Sequence, residues 1–109
     1  MDKYIIKFVL DRKGLISDYH CPFYEPSYYT KKEVLGKNWF DFLVSPDDYE
    51  KSMKHFLYTL YSFSNKKEEY KCHMKLKDGK DELFLLHNEI NKLDNQQVII
   101  KCEQVEELK

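Results

Sequence analysis

Two dipeptides set a histidine beside a thiol, His20-Cys21 and Cys72-His73, and together they offer four ligands of the kind that hold a soft metal ion. Zinc sites of this type need ligands that converge, as CxxC spacing around a turn allows. Adjacent residues of a strand point to opposite faces, so neither pair converges, and no metal site is expected. Cys72 then reads as a small core residue and His73 as a solvated strand residue. His87 follows the apolar run Leu83-Phe84-Leu85-Leu86 and is a candidate polar contact for a ligand in apolar surroundings. The competing reading is a core histidine held by a backbone partner. No glycine-rich phosphate loop, nucleophile elbow or paired acid/base set occurs, so no enzymatic chemistry is expected.

The chain that must position these groups has 109 residues, 18 Lys plus Arg against 19 Asp plus Glu, and a net charge of −1. That length fits one domain, taken as residues 1–109 with a core over about 4–104 and a C-terminal linker beginning at 105. The charge balance supplies no attraction for nucleic acid or an anionic membrane, and neither partner is expected. Aromatic residues make up 16% of the chain, which argues for a packed core. No window approaches the roughly 20 apolar residues of a membrane span, and the charged start MDKYIIKFVL is not a secretory leader. Three cysteines, an odd number, fit free thiols in a reducing cytoplasm.

The pattern along the chain alternates between strand and helix signals. YIIKFVL and LISDY flank the turn DRKG, closed by Gly14, and form an opening hairpin. Pro22 and Pro26 break the next stretch. Thr30 with Glu33 makes a capping box for one helical turn, which Gly36 should end as the left-handed C′ residue. Asn38 starts a second short turn carrying Trp39, Phe40, Phe42 and Leu43. Ser45, Pro46, Asp47 and Asp48 open a longer helix to about Tyr61. At 100° per residue its apolar face holds Tyr49, Met53, Phe56, Leu57, Leu60 and Phe63. Three strand signals follow: EYKCHMKLK, with Tyr70, Cys72, Met74 and Leu76 on one face, then ELFLLHNEI and VIIKCEQV. Asp78-Gly79 marks the hairpin between the first two. This order predicts an α+β domain with a five-stranded antiparallel sheet, short helices and one longer helix.

In this order and at these spacings, the motifs DRKGLI (Asp11, Gly14, Ile16), YTKKEVLGK (Tyr29, Thr30, Glu33, Leu35, Gly36, Lys37), DFLVSPDD (Asp41, Pro46, Asp47, Asp48) and KLKDGK (Asp78, Gly79) resemble the PAS domain, a sensory module of signalling proteins. The resemblance covers about Phe8 to Gln104. His20 stands where the family usually has asparagine and Tyr28 where it usually has glycine, and the two prolines fall within what is normally a short helix lining the cavity.

The resemblance implies a small molecule held between the long helix (Met53, Phe56, Leu57, Leu60) and the sheet (Leu85, His87), near His20, Tyr28 and Trp39. It implies a change relayed through the C-terminal end or a dimer interface to the output of a histidine kinase, diguanylate cyclase or similar protein. The alternative is a ligand-free interaction or dimerisation module whose aromatics fill the cavity. Haem is disfavoured, because His55 lies roughly 130° from the centre of the apolar stripe and should face water. Covalent flavin chemistry is disfavoured, because GKNWFDFL carries Trp39 where the reactive cysteine would stand. The cofactor, if any, is left unnamed. ELFLLHNEI is apolar on both faces, and a strand of that kind is usually covered on both. Phe84 and Leu86 are therefore expected to face outward and to be covered by a second copy of the chain.

Overall fold

The computed structural model describes residues 5–24, 26–62, 68–94 and 96–105. Strands β1 (Ile5–Leu10) and β2 (Ile16–His20) are followed by the helical turns α1 (Lys31–Val34) and α2 (Trp39–Phe42). A 3-10 turn (Pro46–Asp48) leads directly into helix α3 (Tyr49–Ser62), and strands β3 (Glu68–Lys75), β4 (Asp81–Ile90) and β5 (Val98–Gln104) complete the chain. The five strands form one sheet in the order β2-β1-β5-β4-β3, antiparallel at every junction. The predicted α+β architecture is therefore present.

Local chemistry explains the turns. In DRKG the Asp11 carboxylate accepts from the amides of Lys13 (2.8 Å) and Leu15 (3.0 Å). Gly14 takes φ +83°, and a Cβ there would meet Phe40 at 2.8 Å. The Glu33 carboxylate accepts from the Thr30 amide at 2.9 Å, the return arm of the expected box. Asn38 accepts from the amides of Phe40 and Asp41, as an N-cap should.

Gly36 follows the C-cap Leu35 at C′ with positive φ, as expected, and does so within a defined turn. The Lys37 amide donates to Val34 O at 3.0 Å, Leu35 sits at φ −59°, ψ 132°, and Gly36 at φ +80°. These are the angles of a type II turn, whose third position demands positive φ. The turn swings residues 36–38 onto β2: Gly36 N donates to Ile16 O and Ile16 N to Lys37 O, both at 2.8 Å. At the opposite edge Ser45 N donates to His73 O (3.0 Å) and Lys75 N to Leu43 O (2.7 Å). The helical middle thus crosses one face of the sheet and caps part of each edge, where unpaired strand groups invite foreign pairing.

The core lies between α3, α2 and this face. One cross-strand row runs Tyr19, Phe8, Ile100, Asn88; the next runs Ile6, Cys102, Leu86, Tyr70. All eight side chains are buried. Phe84 and Leu86 therefore face the helices, fully buried, and the expectation that they point outward is corrected. Leu83, Leu85 and His87 lie on the outer face and are only partly buried. The cause is one residue of register. A two-residue Asp78-Gly79 turn would pair Cys72 with Leu85 and Tyr70 with His87. The observed loop is three residues long, with Leu76 N donating to Lys80 O (2.8 Å) and Gly79 at φ +88°, so Cys72 pairs with Phe84 and Tyr70 with Leu86. A slip of one residue exchanges the faces of a strand.

Helix α3 is also rolled relative to its expected stripe. Ser52, Phe56, Thr59 and Leu60 are buried, Met53 is half-buried against the core, and Leu57 is 43% exposed. Thr59 Oγ1 donates to His55 O (2.8 Å), so its burial leaves no unpaired hydroxyl. His55, expected in water, stacks flat on Tyr70 with ring centroids 4.0 Å apart. Phe63 lies outside the described residues.

Candidate functional site

Two features outside ordinary core packing could take a ligand. The first is a pocket of about 400 Å³ at the rim of the sheet beside β2. The irregular segment after His20, where Pro22 and Pro26 disallow regular helix, walls it with Phe23, Tyr28 and Tyr29 around Tyr19, His20 and Cys21. Phe23 and Tyr28 stack with centroids 4.7 Å apart. The cations at its mouth are paired, Lys31 with Asp18 (2.7 Å) and Lys77 with Glu33 (2.9 Å). Of the sequence candidates, His20 and Tyr28 are brought together here. Tyr28 OH also accepts a hydrogen bond from Gln104, the last residue of β5.

The second feature is a chain of polar groups inside the core. Trp39, fully buried, donates Nε1–H to Ser52 Oγ at 3.2 Å. Against the larger push of burial, the Ser52 hydroxyl works to lower the Tyr70 pKa, and Tyr70 OH donates to Asn88 Oδ1 at 3.1 Å. Asn88 is 1% exposed, and its Nδ2 has no hydrogen-bond partner among the described residues. Burial pushes the Tyr70 phenol well above the ordinary range, so it stays a donor. The two features adjoin through rings: Tyr19, in the pocket wall, packs on Phe8 at 4.9 Å, and Phe8 meets Trp39 edge-on at 4.7 Å.

The remaining candidates scatter. Phe56 and Leu60 are core residues of α3 and Met53 borders them, but Leu57 looks outward. Leu85 and His87 are on the outer face, where His87 Nδ1 lies 3.5 Å from Glu69. Cys72 and Cys102 are buried and free; burial raises the Cys72 thiol to about 12 and the Cys102 thiol well above its usual range. His73 is not simply solvated: its backbone amide (2.7 Å) and ring Nδ1 (2.9 Å) both reach Asp48 Oδ2. Burial works to raise the Asp48 pKa, but the bonds from His73 and the Lys51 ammonium outweigh it and hold the carboxyl low. Ser52, Tyr70 and Asn88 were not among the sequence candidates. Asn88 shares a face with Phe84 and Leu86, so the correct register of β4 would have pointed to it.

No family model and no curated protein matches the sequence. Solved structures do match. The PAS domain of the Cronobacter turicensis RpfR quorum-sensing receptor, in complex with BDSF, is 21% identical over 97% of this chain and 98% of that one, with a TM-score of 0.77. The PAS domain of an HTR-like protein from Haloarcula marismortui is 18% identical over 93% of this chain and 81% of that one, TM-score 0.68. Drosophila melanogaster Cycle PAS-B, with bound ethylene glycol, is 11% identical over 92% of this chain and 99% of that one, TM-score 0.75. The sheet order, the helical crossing and these superpositions agree on one architecture: the chain has the PAS fold.

Proposed function

We propose that this chain is a sensory PAS domain of a cytoplasmic signalling protein, without catalysis of its own, that binds a small molecule between α3 and the sheet. The observation that carries this reading is the unpartnered amide of Asn88 in a 1% exposed position. Buried polar groups almost always find a partner, so a core meant only to fill itself would not place an open donor there. The rim pocket adjoins the polar chain through the packed rings of Tyr19, Phe8 and Trp39. Two structures of the same fold are in keeping with this, the Cronobacter turicensis PAS domain having been solved with BDSF and with C12:0.

The relay runs from the pocket to the end of β5, because Tyr28 is hydrogen-bonded to Gln104. A ligand that alters Tyr28 biases the segment after β5, to the extent that it binds the two arrangements differently. A homodimer forms through the outer face, with Leu83, Leu85 and Ile99 as its apolar contacts in place of Phe84 and Leu86.

Native mass spectrometry of the purified protein, with thermal shifts against straight-chain fatty acids, tests the reading. A bound small molecule or a chain-length-dependent rise in melting temperature is expected. An empty protein that no compound stabilises would favour the second reading, a self-filled interaction module, which the complete burial of Trp39 and Phe84 supports.

A further inference from the structure

The rim pocket beside β2 has walls of rings and a mouth of cations. Tyr19, Phe23, Tyr28 and Tyr29 line it, and Phe23 and Tyr28 already lie nearly parallel, 19° apart with centroids at 4.7 Å. A further flat ring can extend that stack or meet its neighbours edge-on, a gain that a saturated group of equal size does not have. At about 400 Å³ the pocket falls within the usual span of small-molecule sites, roughly 300–1,000 Å³.

Ring walls alone would also suit an ammonium ligand, since cations are drawn to aromatic faces. The charged groups decide against it. Lys31 and Lys77 line the pocket, and among the described residues no carboxylate does. Asp18 and Glu33 hold these lysines from outside the lining: Lys31 Nζ lies 2.7 Å from Asp18, and Lys77 Nζ lies 3.0 and 2.9 Å from the two oxygens of Glu33. The Thr30 amide fixes Glu33 in turn, and the Lys77 amide donates to Ser27 O at 2.9 Å, so the mouth is tied in place without a ligand. An ammonium carries three N–H donors. One carboxylate does not exhaust them, and an acceptor on the pocket side completes the set. A cationic ligand would instead be set against two ammonium groups.

We propose that the rim pocket is a binding site for a planar aromatic carboxylate, with the ring laid against Phe23 and Tyr28 and the carboxylate held by Lys31 and Lys77. This site is distinct from the interior one proposed above, because the packed rings of Tyr19, Phe8 and Trp39 divide them. Either can hold without the other.

Calorimetric titration of the full chain with 2-naphthoate, its saturated analogue decahydro-2-naphthoate, and 2-naphthylmethylamine tests the proposal. The naphthoate binds about tenfold more tightly than the amine and about threefold more tightly than the saturated acid. Cys21 lines the same pocket with a free thiol, so saturating naphthoate slows its labelling. Lys31→Gln combined with Lys77→Gln removes two exposed charges whose ion pairs contribute little to stability. It weakens naphthoate about tenfold and leaves the amine no weaker. Phe23→Leu keeps an apolar wall and erases the preference for the flat ring. The inference is overturned by an amine or saturated acid that binds wild type as well as naphthoate does, or by naphthoate affinity within twofold of wild type in the double variant. It is equally overturned by an unchanged ring preference in Phe23→Leu, by unchanged Cys21 labelling, or by no binding of naphthoate. If fatty acids stabilise the protein in that last case, the interior reading survives; if they do not, both readings fall.

Discussion

Replacing Asp48 by alanine should be among the more damaging changes outside the apolar core. Its carboxylate is the sole described partner of the His73 backbone amide (2.7 Å), also meets the His73 ring (2.9 Å), and lies 3.4 Å from Lys51 Nζ. It pins the 3-10 turn to β3 beside the short pairing of residues 43–45 with that edge. A hydrogen bond to a charged group contributes about 1.5–3 kcal/mol, and an amide left buried and unpaired costs about 1–3 kcal/mol. These overlap, and about 3 kcal/mol is the expected loss for Asp48→Ala. With an unfolding entropy of about 2.1 cal/mol/K per residue, that lowers Tm by about 13 °C. Asp48→Asn keeps an acceptor for the amide and should lose only about 1 kcal/mol, or about 4 °C. The folded-state pKa of Asp48 lies below its ordinary value of 3.8. Its charge therefore adds stability that is complete above the unfolded pKa and is lost as pH falls through the folded value. Urea melts of the three proteins at pH 7, 5 and 3 check both claims. The wild-type advantage over Asp48→Asn should be level from pH 7 to 5 and shrink at pH 3. Equal losses for alanine and asparagine, or an alanine loss under about 0.5 kcal/mol, would refute the anchoring role.

Thermal melts of two glycine variants should separate backbone strain from collision. At Gly36 nothing lies within 4 Å of an added Cβ, so Gly36→Ala carries only the left-handed backbone penalty, about 1–2 kcal/mol. Gly14→Ala adds a contact at 2.8 Å with Phe40 and should cost distinctly more; equal losses would mean that Phe40 moves freely aside. Thiol labelling at pH 8 should give one fast equivalent, from half-buried Cys21, and two more only in denaturant. A thiol raised to about 12 holds roughly a thousandfold less thiolate than one at the ordinary 9, so fast labelling of all three would contradict the burial of Cys72 and Cys102. On β4, Leu86→Glu should unfold the domain because Leu86 is fully buried, whereas Leu85→Glu should fold and run as a monomer in sedimentation velocity. A Leu85→Glu protein that remains dimeric would exclude the outer-face interface.

Much of the fold was legible from local chemistry. Gly14 closing the first hairpin turn, Glu33 returning to Thr30 and Asn38 capping α2 each involve partners no more than four residues apart, and the structure realises each of them. Of the residues read as ligand candidates, His20 and Tyr28 both line the rim pocket, whereas Leu85 and His87, expected inside, lie on the outer face, and Asn88 was not singled out. Helix α3 shows the same limit: hydropathy put Leu57 inside, yet Ser52 and Thr59 take the buried face because Trp39 and a backbone carbonyl satisfy their hydroxyls.

The residue order by itself determined which segments are strands or helices and roughly where they turn, because those choices depend on neighbours within a turn or two. Tertiary structure alone decided which face of β4 looks inward, how α3 is rolled, and that Trp39, Ser52, Tyr70 and Asn88 share one interior. A strand apolar on both faces carries no mark of its inner side. One extra residue in the loop at Lys77, Asp78 and Gly79 sets that side, and it does so only once β3 and β4 are paired.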